Sequence, residues 1–325
     1  GMHRTGDTVV TTGSTSGGSA GHILLETGNS ATEGGGKILL NAGSGSSAVG
    51  GSVMVTAGSS SRNLGGKLSI ASGSGDRSGS IEISTGVAVT ESSGGLKIGV
   101  GRTVQGAAGT IDLLGGHAPG PGGIGGAILV SSGFGDEYGG GVAVQAGSSE
   151  EGNGGSVSLW TGGSRVAEKS GSITLATANS PGVGESGYVH VSTGITEGMA
   201  SGIVNIQTGP SSASSSGYLN ISTGGSSSDR SGFISMRSGH SGSLSGGNIS
   251  IAVGDGLSGF GGNIKATAGS SGTAGGGVLL EAGKGDTNAG GTVSLSGGSA
   301  VSDRGGSIDI SSGTSATSGT GEVVI

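Results

Sequence analysis

The chain contains no cysteine in 325 residues. That removes disulfides, thiolate metal sites and a cysteine nucleophile together. Aromatic residues make up 2% and charged residues 11%, against about 25% charged in a typical protein, so a conventional core of large side chains cannot be assembled. Basic residues are scarce too: 14 Lys+Arg face 21 Asp+Glu, a formal net charge of −7, which leaves no footprint for nucleic acid. No apolar run approaches the ~20 residues of a spanning helix, and no membrane insertion is expected. No secretory leader is visible. Gly1-Met2-His3 reads as a cloning remnant, so residues 1–7 are taken as a lead-in and 8–325 as a single repeat domain.

What the chain has in abundance is glycine, 82 residues, several times the usual ~7%. Composition of this kind also suits a flexible linker, but the apolar residues are not scattered. They recur in a unit G-G or S-G followed by x-Φ-x-Φ-x-t-G, where Φ is aliphatic and t is Thr, Ser or Ala. Gly51-Ser52-Val53-Met54-Val55-Thr56-Ala57-Gly58 and Gly306-Ser307-Ile308-Asp309-Ile310-Ser311-Ser312-Gly313 are good copies. The stretch from Gly13 to Gly313 holds 20 intervals, a mean period of 15, with single spacings between 13 and 17 and Ala178 standing for one closing glycine.

Each unit alternates with period two, the signature of a strand. Positions five, three and one before the closing glycine share a face, as in Ile23/Leu25/Thr27 and Leu219/Ile221/Thr223. The remainder of each unit, about 8–9 residues, is too long for a tight hairpin and too short for a crossover helix. The simplest expectation is an all-β parallel β-solenoid, two-layered, with one coil per repeat. Some 21 coils spaced by ~4.8 Å would give a stack on the order of 100 Å long. Glycine pairs at the corners would supply positive φ, and no single repeat should fold alone.

Candidate chemistry is thin. His3, His22, His117, His190 and His240 occupy different repeat positions, and acids such as Glu26, Asp112, Glu150 and Asp309 are scattered. No catalytic set and no enzyme activity are expected, and no cofactor. Gly254-Asp255-Gly256 and Gly285-Asp286 are the nearest fragments to calcium-binding coils, but they do not recur at the nine-residue spacing such coils need; no metal site is expected.

One outward column stands out. Tyr188, Ile203, Tyr218 and Phe233 fall at the same place in four consecutive repeats, each just before the first inward aliphatic. They form a candidate surface contact ladder, either stabilising neighbours or offering a strip to another chain or a sugar. Asn220-Ile221-Ser222 and Asn248-Ile249-Ser250 are sequons, making Asn220 and Asn248 candidate glycosylation sites in a secreted eukaryotic protein.

The units Gly217-Tyr218-Leu219-Asn220-Ile221-Ser222-Thr223-Gly224 and Ser170-Gly171-Ser172-Ile173-Thr174-Leu175-Ala176-Thr177 resemble the tandem repeats of Gly/Ser-rich surface proteins of algae and other protists. The period is also similar to that of antifreeze solenoids. The first resemblance implies an extracellular, cell-surface or adhesive role, and no catalytic residue transfers with it. The expected function is a non-catalytic structural or adhesive rod or filament, with an ice-binding protein or a viral or phage fibre segment as alternatives. Expected partners are other copies, end to end or alongside, and a polysaccharide or ice surface. The chain enters and leaves inside a repeat, so either the array continues or its open ends stack into filaments.

Overall fold

In most repeats the glycine that opens an apolar segment sits against the residue that closed the segment before it, as Gly36 does against Thr27 and Gly51 against Ala42. This contact organises the computed structural model, which describes residues 5–46, 49–165, 169–182 and 184–325; residues 1–4 of the expected lead-in lie outside the described residues. The chain divides into two units, Gly1–Gly162 and Gly163–Ile325, and the same repeat builds each.

In the first unit the amide of Gly36 donates to the carbonyl of Gly28 at 3.2 Å, Gly51 to Gly43 at 2.8 Å and Gly66 to Gly58 at 2.8 Å. In the second, Gly247 donates to Gly239 at 3.3 Å, Gly291 to Gly283 at 2.9 Å and Gly306 to Gly298 at 2.8 Å. The intervening residues are thus pinched into a loop that returns to where it left. Repeats of unusual length show which part of the unit is fixed. The short interval from Gly73 to Gly86 closes through Gly79, six positions on, and the long one from Gly116 to Gly133 closes through Gly126, ten positions on. From the closing donor to the next closing glycine the separation stays at seven: 36 to 43, 79 to 86, 126 to 133, 306 to 313. The apolar segment is a ruler of constant length, and the loop absorbs every insertion and deletion.

The expected β-solenoid is corrected by this structure. Among the described residues there is no helix and no paired strand, so neither the two layers nor the stack of coils exists, and the length estimated for that stack falls with it. The cause is local. The residues expected to run back across the aliphatic face close on themselves instead, so nothing lies over Ile23 and Leu25 or their counterparts. The corner glycines also serve a different purpose from the one expected. Positive φ occurs among the described residues at Gly18, Gly106 and Gly122, not at the closures. The opening glycines are needed for close approach: a Cβ on Gly36 would lie 2.7 Å from Thr27 Cβ, and one on Gly66 3.2 Å from the Gly58 nitrogen. Only Gly122 is a turn glycine of the familiar kind, with φ 74° after Pro121 and Gly123 N–H donating to Gly120 carbonyl at 3.0 Å, a type II turn.

Burial follows the same logic. No described residue is fully buried, and the half-buried ones are mostly the small residues before the closing glycine: Thr27, Ala146, Ala268, Ala282 and Ser312. A folded monomer of 30.0 kDa exposes about 11,700 Å², and its extended chain about 43,500 Å². This chain exposes 32828 Å². It has covered only about a quarter of what an extended chain shows. Among the described residues no helix is long and apolar enough to cross a membrane.

The closure makes a sharp mutational contrast. Gly66→Val should lose the bond from the residue 66 amide to Gly58, and that amide should exchange about fivefold faster for a lost bond worth ~1 kcal/mol. Gly58→Ala, where an added Cβ meets nothing within 4 Å, should leave it unchanged. Hydrogen exchange read by NMR distinguishes the two.

Candidate interaction surface

The side chains available for contact are presented by the apolar segment. Within it, exposure alternates residue by residue: Ile23 is 53% exposed, Leu24 81% and Leu25 66%. The same pattern holds at Ile38-Leu39-Leu40, Val53-Met54-Val55 and Val278-Leu279-Leu280. The period-two face expected from sequence is therefore present as a face, but it is a bare one. Two aliphatics per repeat share that face, and each stays at least about half exposed. The backbone hydrogen bonds among the described residues are loop closures and the Gly120–Gly123 turn, so none joins one apolar segment to another.

The loops are better organised than their composition suggests. Two residues after the closing glycine a Ser or Thr hydroxyl accepts from the amide three residues further on. Ser30 Oγ accepts from Glu33 N at 2.9 Å, Ser60 from Asn63 at 3.0 Å, Ser149 from Gly152 at 2.9 Å, and Ser241 from Leu244 at 3.0 Å. Ser211, Ser226 and Ser315 repeat the arrangement, and Thr196 does so towards Met199. A hydroxyl in this place mimics a backbone turn. Where the position is glycine, the loop folds inward over it: a Cβ on Gly75 would lie 3.1 Å from the Arg77 carbonyl oxygen and one on Gly256 2.8 Å from that of Phe260. This column lies outside the alternating strand pattern, although Ser30, Ser60, Ser211 and Ser226 share one offset from a closing glycine. The threonines of the apolar face also have a local task. The Thr12 and Thr223 hydroxyls each donate to the carbonyl of the next opening glycine, Gly21 and Gly232, at 3.3 Å.

In some loops charges of opposite sign are neighbours, whereas Asp136-Glu137 and Glu150-Glu151 are neighbours of like sign. Arg230 N donates to Asp229 Oδ1 at 2.7 Å, Arg304 N to Asp303 Oδ1 at 2.7 Å, and Lys284 Nζ pairs with Asp286 at 2.7 Å in full solvent. An ion pair as exposed as Lys284–Asp286 contributes at most ~1 kcal/mol.

No protein-family model, no curated protein and no solved structure matches this chain.

Tyr188, Ile203, Tyr218 and Phe233 are strongly exposed, as are nearly all the described residues. Among the described residues no ring contact or side-chain hydrogen bond ties the three aromatics to one another. Asn220 and Asn248 are exposed. Among the described residues no group of three or more His, Asp or Glu gathers as a metal centre would require, and no cavity is present. His22, His117, His190 and His240 are exposed and remain in separate repeats, while His3 lies outside the described residues.

Proposed function

We propose that this chain is a non-catalytic structural or adhesive repeat protein of the extracellular space or cell surface, working as an element of a rod or filament. The observation that carries the reading is the constant length of the apolar segment. Loops vary freely, yet the segment that presents the aliphatic pair keeps one length and one face throughout both units. A protein selected for a reactive centre concentrates its unusual residues in one place; here the distinctive feature is spread evenly along the chain. The resemblance of the repeats to algal and protist surface proteins supports the extracellular placement. Among the alternatives, a fibre segment is favoured over ice binding because, among the described residues, no backbone hydrogen bond joins one apolar segment to another, as expected of a fibre protomer.

The outward ladder is the proposed adhesive strip. Replacing Tyr188, Tyr218 and Phe233 with Ser should lower retention of the chain on cell-wall material of the source organism at least about tenfold, the loss of one to two aromatic contacts. Unchanged retention would remove the ladder from the account. Antibody labelling of intact source cells tests the placement: the chain should be reached from outside, and labelling seen only after permeabilisation would overturn it.

A further inference from the structure

Resting on the structural reading above, we infer that the aliphatic face of every repeat is covered by further copies of this same chain, side by side, parallel and in register along their length. End-to-end stacking of open ends does not meet the need, because the uncovered surface runs through every repeat of both units. The excess is large. The 32828 Å² exposed exceeds what a folded monomer shows by roughly 21,000 Å², whereas a stable interface takes about 800 Å² per partner. No small contact patch accounts for that.

Three features select a copy of the chain as the occupant. The first is edge chemistry. Among the described residues the apolar segments are exposed and no backbone hydrogen bond joins one to another, so each offers amides and carbonyls to a neighbouring segment of equal length. The second is spacing. Most closing glycines follow the mean period, but Gly73 and Gly86 stand closer together and Gly116 and Gly133 further apart. These departures lie in the loops, and an identical chain at zero offset sets every loop beside one of its own length. A shifted or reversed copy sets a short repeat against a regular one. The third is charge. Parallel, in-register copies place each side chain beside its own duplicate, and like charges set opposite each other are destabilising. No apolar segment carries more than one Asp, Glu, Lys or Arg. The seven consecutive segments 127–132, 141–146, 156–161, 172–177, 188–193, 203–208 and 218–223 carry none. Over that run a copy in register meets no like charge from segment to segment, and elsewhere it meets at most one per segment.

The absence of native cysteine gives a clean test. Ser192→Cys and Gln207→Cys, at outward positions of consecutive segments, are made singly in the full chain and assembled alone or as a co-refolded mixture. Mild oxidation should cross-link each variant to itself. In the mixture, the link between one variant and the other should be at least about tenfold weaker, since six extended residues span about 20 Å and a disulfide bridges Cα atoms about 6 Å apart. Equal mixed and self links would overturn the register, and self-linking at only one position would overturn the parallel direction. No links, together with a sedimentation mass of 30.0 kDa for the unsubstituted chain, would overturn the inference altogether. An intracellular location would instead defeat the functional reading and leave the cross-links as they are.

Discussion

Replacing Val189, Val191, Val204, Ile206, Leu219 and Ile221 with Ser is expected to weaken assembly of the chain by about ten-thousand-fold. Each of these aliphatics already has part of its surface covered by its own repeat, so covering the remainder contributes about 1 kcal/mol per side chain, less than the roughly 1.5–3 kcal/mol of complete burial. Six such losses amount to about 6 kcal/mol, or four orders of magnitude in an association constant. The matched control lies between them. His190, Asn205 and Asn220 occupy the alternate, outward positions of the same segments, and replacing those three with Ser should leave the assembly unchanged. Sedimentation velocity across a concentration series measures both. Equal effects of the two sets would mean that the period-two face has no energetic meaning. In either variant the loops should persist, since their bonds, such as Ser214 N–H to Ser211 Oγ and the Thr223 hydroxyl to the Gly232 carbonyl, involve none of the replaced side chains.

The second large effect is electrostatic and reversible by mixing. Ser192, Gln207 and Ser222 share one outward column. Changing all three to Lys brings three like-charge rows into being if copies lie in register, and changing all three to Glu does the same with opposite sign. At up to ~1 kcal/mol per unfavourable pair, each triple variant should assemble roughly 10- to 100-fold less well than the parent. An equimolar mixture of the two should recover assembly, because each Lys then lies beside a Glu. Salt at about 1 M, where the screening length is about 3 Å, should shrink the difference between variants. Failure of the mixture to recover would place the segments of different copies out of contact. Protection of loop-closing amides such as that of Gly247, which need no second copy, in the two triple variants excludes a trivial loss of the loops.

Much of this architecture can be read directly from the residues. The repeat period, the division into apolar segment and polar loop, and the face shared by positions such as Ile23 and Leu25 all follow from local patterning, and the alternation of exposure at Ile23-Leu24-Leu25 agrees with it. What the pattern does not contain is the destination of the loop. Alternating aliphatics state that a face must be covered; they are silent on whether the cover comes from the next repeat or from another molecule. That choice turns on Gly36 meeting Thr27 and on the Gly36–Gly28 bond, short contacts that close the loop before it can cross the face. Glycine pairs at a corner read equally well as reversal or as close approach, and only the φ values separate them. The Ser/Thr column at Ser30, Ser60 and Ser211 was legible in principle, since its offset from the closing glycine is fixed. It is easily lost in a chain so rich in serine. The outward ladder from Tyr188 to Phe233 is legible as a column, while its ligand depends on chemistry outside the chain.

The central claim is that this chain completes its fold only against other copies of itself. Sedimentation equilibrium of the unsubstituted chain tests it most directly. The account predicts a discrete mass at a whole-number multiple, two or greater, of 30.0 kDa, held on dilution into the micromolar range. A species of 30.0 kDa at every concentration would contradict it, and compact, cooperative unfolding of that monomer would show that the aliphatic face finds its cover within one chain.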